Sequence, residues 1–195
     1  MSAATTAAPE ARAGVERALV ERAAQGDREA FDVIMSGVVD RLFAVARLIL
    51  RDADRAEDAV QETLIGCWRD LPSLRDADRF EAWLRRLLLN KVRDEYQRHR
   101  RTAATIAVLR IEPSESDASG ALAARDQLER SFRRLTLDHR TVIVLRFYLG
   151  LSIEETAATL GIPTGTAKSR LHYATDAMRL ALEADARPEV REVSA

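Results

Sequence analysis

The sequence predicts an all-α protein built from two small helical domains joined by a flexible linker. Glycine and proline are scarce, at 8 and 5 of 195 residues, and Ala, Leu, Arg and Glu dominate, which favours helices over strands. Apolar residues recur at helical spacing through most of the chain. That pattern weakens between residues 102 and 123, where proline, serine and acidic residues cluster, as in a linker between domains.

Composition excludes several classes of site. The net charge is −1, so any binding to nucleic acid must come from local patches rather than from an overall positive field. The single cysteine, Cys67, cannot form an internal disulfide or a multi-cysteine zinc site. The best candidate for a membrane span, residues 38–50, is too short and contains charged residues. We therefore expect a cytoplasmic protein with no membrane insertion, no metal and no cofactor.

The first domain is expected to span residues 20–101, after a disordered N-terminal tail over residues 1–19. A helix should begin after Asp27, which can cap it, and its apolar positions continue to Leu50. Gly37 interrupts these positions, so the segment forms either a kinked helix or two helices.

Two further helices complete this domain. Asp54 and Glu57 have the spacing of a capping box for the first of them, which ends before Pro72. The second is a long helix that Asp78 and Glu81 are expected to cap.

An acidic linker over residues 102–123 is expected to lead to the second domain, residues 124–183, and a C-terminal tail to follow over residues 184–195. One helix opens this domain. A second helix, over residues 138–149, should end at Gly150 because glycine accepts the left-handed conformation in which helices commonly end.

Residues 151–171 read LSIEETAATLGIPTGTAKSRL and have the layout of two short helices meeting at a sharp turn. Ser152 and Glu155 form a capping box for the first helix. Gly161 should end that helix, and Thr164 can cap the next one.

The second of these helices has two contrasting faces. Its apolar stripe consists of Ala167, Leu171, Ala174 and Met178. Its opposite face is small, polar and partly basic, and consists of Gly165, Lys168, Ser169, His172 and Asp176. This combination is typical of a helix-turn-helix that enters the DNA major groove, although an ordinary helical hairpin has the same outline.

The C-terminal part of the long helix is strongly basic, with seven Arg or Lys residues against two carboxylates in residues 85–101. Four polar residues lie along one side, namely Arg86, Asn90, Arg93 and Gln97. Arginine neutralises phosphate, and Asn and Gln can bond base edges. A solvated helix end whose cations meet the negative end of the helix dipole is the alternative. Two basic sites on two domains favour DNA binding.

Taken in order, these motifs resemble the small extracytoplasmic-function (ECF) sigma factors of bacterial RNA polymerase. Residues 54–62, DRAEDAVQE, match a pattern of the group's region 2, as do the FxxWL motif from Phe80 and the basic helix end. Residues 140–171 match region 4. The resemblance covers about residues 20–183.

The resemblance implies a sigma factor that binds core RNA polymerase and promoter DNA and directs promoter-specific initiation. Such a protein is not an enzyme, and no catalytic constellation is visible among the three scattered histidines. Members of this group often serve stress or envelope responses under an anti-sigma factor. The competing interpretations are a stand-alone helix-turn-helix regulator, which leaves the first domain without a role, and an all-helical adaptor without DNA contact.

The resemblance also implies three sets of site residues. Minus-35 duplex DNA would contact Thr164, Gly165, Thr166, Lys168, Ser169, Arg170, His172 and Tyr173. Melted minus-10 DNA would contact Arg75, Arg79, Arg86, Asn90, Arg93, Gln97, Arg98, Arg100 and Arg101. Core polymerase would dock on Asp54, Glu57, Asp58, Gln61, Glu62 and Trp68. For this last set, a capped and solvated helix start is the alternative.

Two positions depart from the family pattern. Tyr173 and Thr175 stand where many members carry arginine. Minus-35 binding is then expected to be weaker and less dependent on salt, or Tyr173 makes an apolar contact with a thymine methyl group.

Overall fold

The computed structural model describes residues 9–107, 131–132 and 134–186. Its helices are α1 Pro9–Ala24, α2 Arg28–Leu50, α3 Ala53–Asp70, α4 Phe80–Ala107, α5 Leu137–Ile143, α6 Ile153–Leu160 and α7 Thr164–Ala186. The described residues form no strand, which agrees with the predicted all-α class. The chain divides into two compact units, residues 1–99 and residues 100–195.

Helix α1 corrects the prediction of a disordered tail over residues 1–19. It begins at Pro9 and packs against α2, and its residues Val20 and Ala23 are each only 2% exposed. A helix without a strong amphipathic pattern is stabilised by tertiary packing rather than by its own sequence, so the pattern alone did not indicate it. Residues 1–8 lie outside the described part of the chain.

Helix α2 begins as expected and is continuous. An Asp27 side-chain oxygen accepts a hydrogen bond from the Ala30 N–H at 3.1 Å, which confirms the predicted cap. This bond and the Arg22 guanidinium hold the pKa of Asp27 below its usual value. The helix runs through Gly37 without a break. It ends at Arg51, whose φ of 61° takes the left-handed conformation usual at helix ends.

Helix α3 begins earlier than its capping box predicted. Asp52, rather than Asp54, occupies the cap, and its carboxylate accepts a bond from the Arg55 N–H at 3.0 Å. That bond, followed by the Arg55 guanidinium, lowers the pKa of Asp52. Asp54 lies within the first turn, so the predicted pairing of Asp54 with Glu57 as a capping box is wrong.

The start of α4 also differs from the prediction. Asp76 caps a short 3-10 turn, Ala77–Arg79, by accepting a bond from the Asp78 N–H at 3.1 Å, and α4 follows at Phe80. Asp78 and Glu81 are therefore not the helix cap. Helix α4 continues to Ala107, into the first residues of the expected linker, and the linker residues 108–123 lie outside the described part of the chain.

The core of the first unit lies on the apolar faces of these helices. Its largest buried side chains include Val20, Ile49, Thr63, Cys67, Leu71, Phe80, Leu84, Leu88 and Val92. Burial, with a smaller contribution from the Asp70 carboxylate, raises the pKa of the Cys67 thiol to about 12. The thiol therefore stays protonated and packs as a small apolar group.

In the second unit, the predicted capping box is confirmed. The Ser152 hydroxyl accepts from the Glu155 N–H at 3.0 Å, and the Glu155 carboxylate accepts from the Ser152 N–H at 2.7 Å. Gly161, with a φ of 66°, ends α6 as predicted. The predicted Thr164 cap is displaced by one residue, because α7 begins at Thr164 and the Pro163 carbonyl accepts its first bonds.

The segment predicted as one helix over residues 138–149 has two parts. Thr136 caps α5, and a π-helical turn, Val144–Tyr148, continues it toward Gly150. The apolar stripe of α7 packs on this segment. The resulting core contains Leu135, Val142, Ile143 and Ala174, with Phe132, Leu160, Leu171 and Met178 around it.

The cap of α3 yields a stability prediction with a matched control. Asp52→Ala should lower the free energy of unfolding by about 1 kcal/mol, and Asp54→Ala by only about 0.3 kcal/mol. Urea unfolding at neutral pH, followed by the fluorescence of Trp68 and Trp83 in the first unit, measures both variants.

The difference between the two variants should depend on pH. Folding lowers the pKa of Asp52 below 3.8, so its contribution is present above that value and is lost as the pH falls through the lowered pKa. Equal losses for Asp52→Ala and Asp54→Ala at neutral pH would contradict the assigned cap.

Candidate promoter and polymerase interfaces

Helix α7 presents an open outer face. Its buried side is formed by Ala167 and Ala174, both 0% exposed. The residues exposed to solvent include Thr164, Gly165, Thr166, Lys168, Ser169, His172 and Tyr173. The structure therefore brings together, on one exposed surface, all but one of the residues predicted to contact minus-35 DNA.

The exception is Arg170. Its side chain is 28% exposed, and one guanidinium nitrogen lies 2.8 Å from an Asp138 carboxylate oxygen at the start of α5. This ion pair links α7 to α5. Any DNA contact of Arg170 would thus come from a side chain that already has an internal partner.

The positions that depart from the family pattern have different surroundings. The Thr175 hydroxyl donates to backbone carbonyls of its own helix, to Leu171 at 3.0 Å or to His172 at 2.9 Å. Tyr173 is 63% exposed, with its ring 5.7 Å from that of His172. Tyr173 can therefore reach a base edge, whereas the Thr175 hydroxyl is already hydrogen-bonded to the backbone of its own helix.

The basic face of α4 carries most of the residues predicted for minus-10 DNA. Exposed positions of this set on α4 are Arg86, Asn90, Gln97, Arg98, Arg100 and Arg101, and Arg93 is half-buried. Arg98 pairs with the buried Glu95. The remaining two, Arg75 and Arg79, are exposed on the segment before α4.

We call residues 71–79 the α3–α4 loop. It consists of a 3-10 turn over Leu71–Ser73, a short extended stretch and the turn over Ala77–Arg79. Arg79 lies 3.4 Å from Asp76, and Arg75 projects from the stretch between the turns. The loop thus places two cations directly before the basic helix.

Helix α3 presents an acidic surface. Asp54, Glu57, Asp58, Gln61 and Glu62 are exposed, as the docking prediction requires. Trp68 is half-buried instead. Its ring packs edge-on against Phe31 at 5.0 Å and lies 5.9 Å from the Arg28 guanidinium.

Sequence reasoning missed Ile65. It is 63% exposed on α3, four residues after Gln61 and three after Glu62. An isolated apolar residue on the polar side of a helix is the signal that could have found it. The acidic surface of α3 therefore has an apolar side chain within it, a combination that suits contact with another protein better than contact with DNA.

The π-helical turn exposes two aromatic residues that sequence reasoning also missed. Phe147 is 64% exposed and Tyr148 is 51% exposed. Phe147 borders an apolar groove that also contains Ile143, Met178 and Leu182. Because the π-helical turn shifts the register of side chains, the 3.6-residue pattern of the sequence does not indicate this exposure.

Comparison with known proteins decides the family. The family model of Sigma-70 region 2 matches residues 35–102, and that of Sigma-70 region 4 matches residues 132–180. The chain belongs to the sigma-70 family, in its ECF group. It is 37% identical to the ECF RNA polymerase sigma factor SigL of Mycobacterium tuberculosis H37Rv, over 73% of this chain and 82% of that protein. It is 32% identical to the ECF sigma-E factor of Escherichia coli K12, over 84% and 92%.

Solved structures give the same result. CnrH, solved in complex with the cytosolic domain of CnrY, matches with a TM-score of 0.64 at 31% identity, over 88% of this chain and 99% of that one. RpoE of Bartonella quintana, solved with the anti-sigma factor NepR, matches with a TM-score of 0.65 at 29% identity, over 80% and 98%.

Family membership gives this sigma factor its function. It is an initiation factor rather than an enzyme, and it binds core RNA polymerase and promoter DNA. A stand-alone helix-turn-helix regulator is not favoured, because the first unit matches region 2. None of the described helices is long and apolar enough to cross a membrane.

The Arg170–Asp138 ion pair should contribute measurably to stability. Arg170→Ala should lower the free energy of unfolding of the second unit by about 0.5 kcal/mol, because the pair is partly shielded from solvent. Lys168→Ala, on the exposed face, should leave it unchanged. Urea unfolding followed by circular dichroism measures the change.

A double variant completes this test. Arg170→Ala combined with Asp138→Ala should lose less stability than the sum of the two single losses, because each single variant already removes the shared contact. Additive losses would show that the two side chains act independently.

Proposed function

We propose that this sigma factor contacts its partners through three surfaces of different chemistry. The acidic surface of α3 docks on core polymerase, the α3–α4 loop and the basic face of α4 hold melted minus-10 DNA, and the outer face of α7 reads the duplex minus-35 element. The observation that carries the proposal is this separation: carboxylates are exposed on α3, cations and amides on the basic face of α4, and Lys168 with hydroxyl and ring side chains on the outer face of α7. Phosphate repels carboxylates, so α3 is the surface of the three that suits a protein.

Ile65 and the carboxylates around it support docking through α3. A 63% exposed isoleucine has apolar area to bury, and carboxylates at the rim favour a partner with basic residues there. Glu62 lies 3.4 Å from Lys91 of α4, so one of these carboxylates already has an internal cation. Asp54, Glu57, Asp58 and Gln61 lie on the same exposed surface, and Trp68 supports it from the packed side.

A pair of exposed apolar residues tests this docking surface. Ile65→Ala should weaken binding to core polymerase by about 1 to 2 kcal/mol, because it removes apolar area buried in the complex. Val33→Ala, which changes a 51% exposed residue of α2, should have little effect. Competition against a labelled sigma factor for core polymerase gives both affinities. Equal effects of the two variants would contradict docking through α3.

Melted minus-10 DNA is proposed to lie along the loop and α4. Arg86, Asn90 and Gln97 face solvent, so cations and base-edge donors share one surface. Arg75, Arg79, Arg93, Arg98, Arg100 and Arg101 complete this set. Unstacking each base costs a few kcal/mol, and contacts between the base and such a site offset that cost.

For the minus-35 element, Lys168 is the best single probe. It is exposed on α7, and no neighbouring carboxylate forms an ion pair with it among the described residues. The other proposed contacts are Thr164, Gly165, Thr166, Ser169, His172 and Tyr173. Arg170 belongs to this set as well, although its guanidinium forms an ion pair with Asp138.

Lys168→Ala should lower transcription from a minus-35-dependent promoter and reduce the salt slope of promoter binding by about one unit, because one phosphate contact is lost. Affinity for core polymerase should stay unchanged. Lys168→Arg, which keeps the charge, is the matched control. Loss of core binding in Lys168→Ala would mean that α7 serves the polymerase instead.

Regulation is proposed from the solved relatives. CnrH was solved with the cytosolic domain of CnrY, and RpoE with the anti-sigma factor NepR. We propose that an anti-sigma factor also restrains this chain, in a stress or envelope response, and that the protein acts in the cytoplasm, where bacterial core polymerase works. A chromatographic search for a bound inhibitor in native extracts tests this proposal.

A further inference from the structure

Helix α1 contacts the part of the first unit that leads into the basic face. It packs against α2 and against both 3-10 turns of the α3–α4 loop. Its side chains Val20 and Ala23 are buried, and so are Leu71 and Phe80, which bracket the loop. The loop is therefore fixed at its ends, while Arg75 and Arg79 between them stay exposed.

An ion pair links α1 directly to this loop. One Arg17 guanidinium nitrogen lies 2.9 Å from an Asp78 carboxylate oxygen, across 61 residues of sequence. A second nitrogen of the same guanidinium lies 3.0 Å from Glu21, one turn along α1. Both carboxylates raise the pKa of Arg17, with Glu21 contributing most. Glu21 thus orients Arg17 toward the loop.

A parallel contact holds the first turn of α4. Arg41 of α2 lies 2.6 Å from a Glu81 oxygen, and Arg85 lies 3.1 Å from the other oxygen. Asp78 and Glu81, which the sequence suggested as helix caps, therefore act between elements: Asp78 binds α1 and Glu81 binds α2. The loop is held from both neighbouring helices.

We propose that α1 positions the α3–α4 loop for melted minus-10 DNA, with Arg17 and Asp78 as positioning residues. The proposal rests on the proposed function, which places minus-10 DNA on this loop. Arg17 does not need to touch DNA. It holds Asp78, and through the turn Ala77–Arg79 it sets where Arg79 and Arg75 project.

A double-variant cycle in reconstituted holoenzyme tests the positioning role. Arg17→Ala and Asp78→Asn should each reduce open-complex formation about two- to five-fold, the range expected for one exposed ion pair. The double variant should lose no more than either single variant. The preference for bases of the minus-10 element, measured on a promoter library, should relax in all three, while core affinity stays unchanged.

Arg22→Ala is the matched control for general destabilisation. Arg22 lies on the same helix, and its guanidinium is 2.6 Å from Asp27 rather than near the loop. This variant should keep the minus-10 preference. Additive losses in the cycle, or equal relaxation of the preference by Arg22→Ala and Arg17→Ala, would overturn the proposal.

Arg75→Ala and Arg79→Ala test separately whether the α3–α4 loop contacts the minus-10 element at all. If these variants leave minus-10 preference unchanged, the loop does not contact that element and both proposals fall. If they change the preference while Arg17→Ala does not, the loop assignment stands and the positioning role of α1 is wrong.

Discussion

The structure depends on one constraint above all: α4 must bury a narrow apolar stripe and keep its arginines out of the core. Phe80, Leu84, Leu88 and Val92 are each no more than 2% exposed. Their spacing of four residues leaves Arg86, Asn90 and Gln97 facing solvent. A shift by one residue would bring arginine into the core, at a cost far above any gain in packing. The same packing that stabilises the unit thus orients its basic face.

Capping hydrogen bonds fix where the helices of the first unit begin, and the basic face of α4 follows from the last of these starts. Asp27, Asp52 and Asp76 each accept a backbone hydrogen bond at a helix or turn start. Asp78 and Glu81, which do not cap α4, make contacts between elements instead, with Arg17 and Arg41. Although each exposed pair contributes little alone, several of them converge on the loop before α4. In a chain of net charge −1, local placement of charge rather than total charge produces surfaces for different partners.

Periodicity and caps predicted much of this fold, and the failures have physical causes. The capping box of Ser152 and the left-handed Gly161 were predictable because both depend on local hydrogen bonds. Helix α1 was not, because its stability comes from packing on distant residues. The site residues on α7 faced solvent as expected, but the tie between Arg170 and Asp138 joins two elements and has no local signature. Exposure of Ile65 and Phe147 likewise depends on what the neighbouring helices leave uncovered.

The central claim is that this chain directs core RNA polymerase to promoters of one kind. Mapping transcription start sites on genomic DNA with core polymerase, with and without the purified chain, tests it most directly. New starts should appear only with the chain, and they should share sequence elements near positions minus-10 and minus-35. Unchanged starts, or new starts without shared elements, would contradict the account.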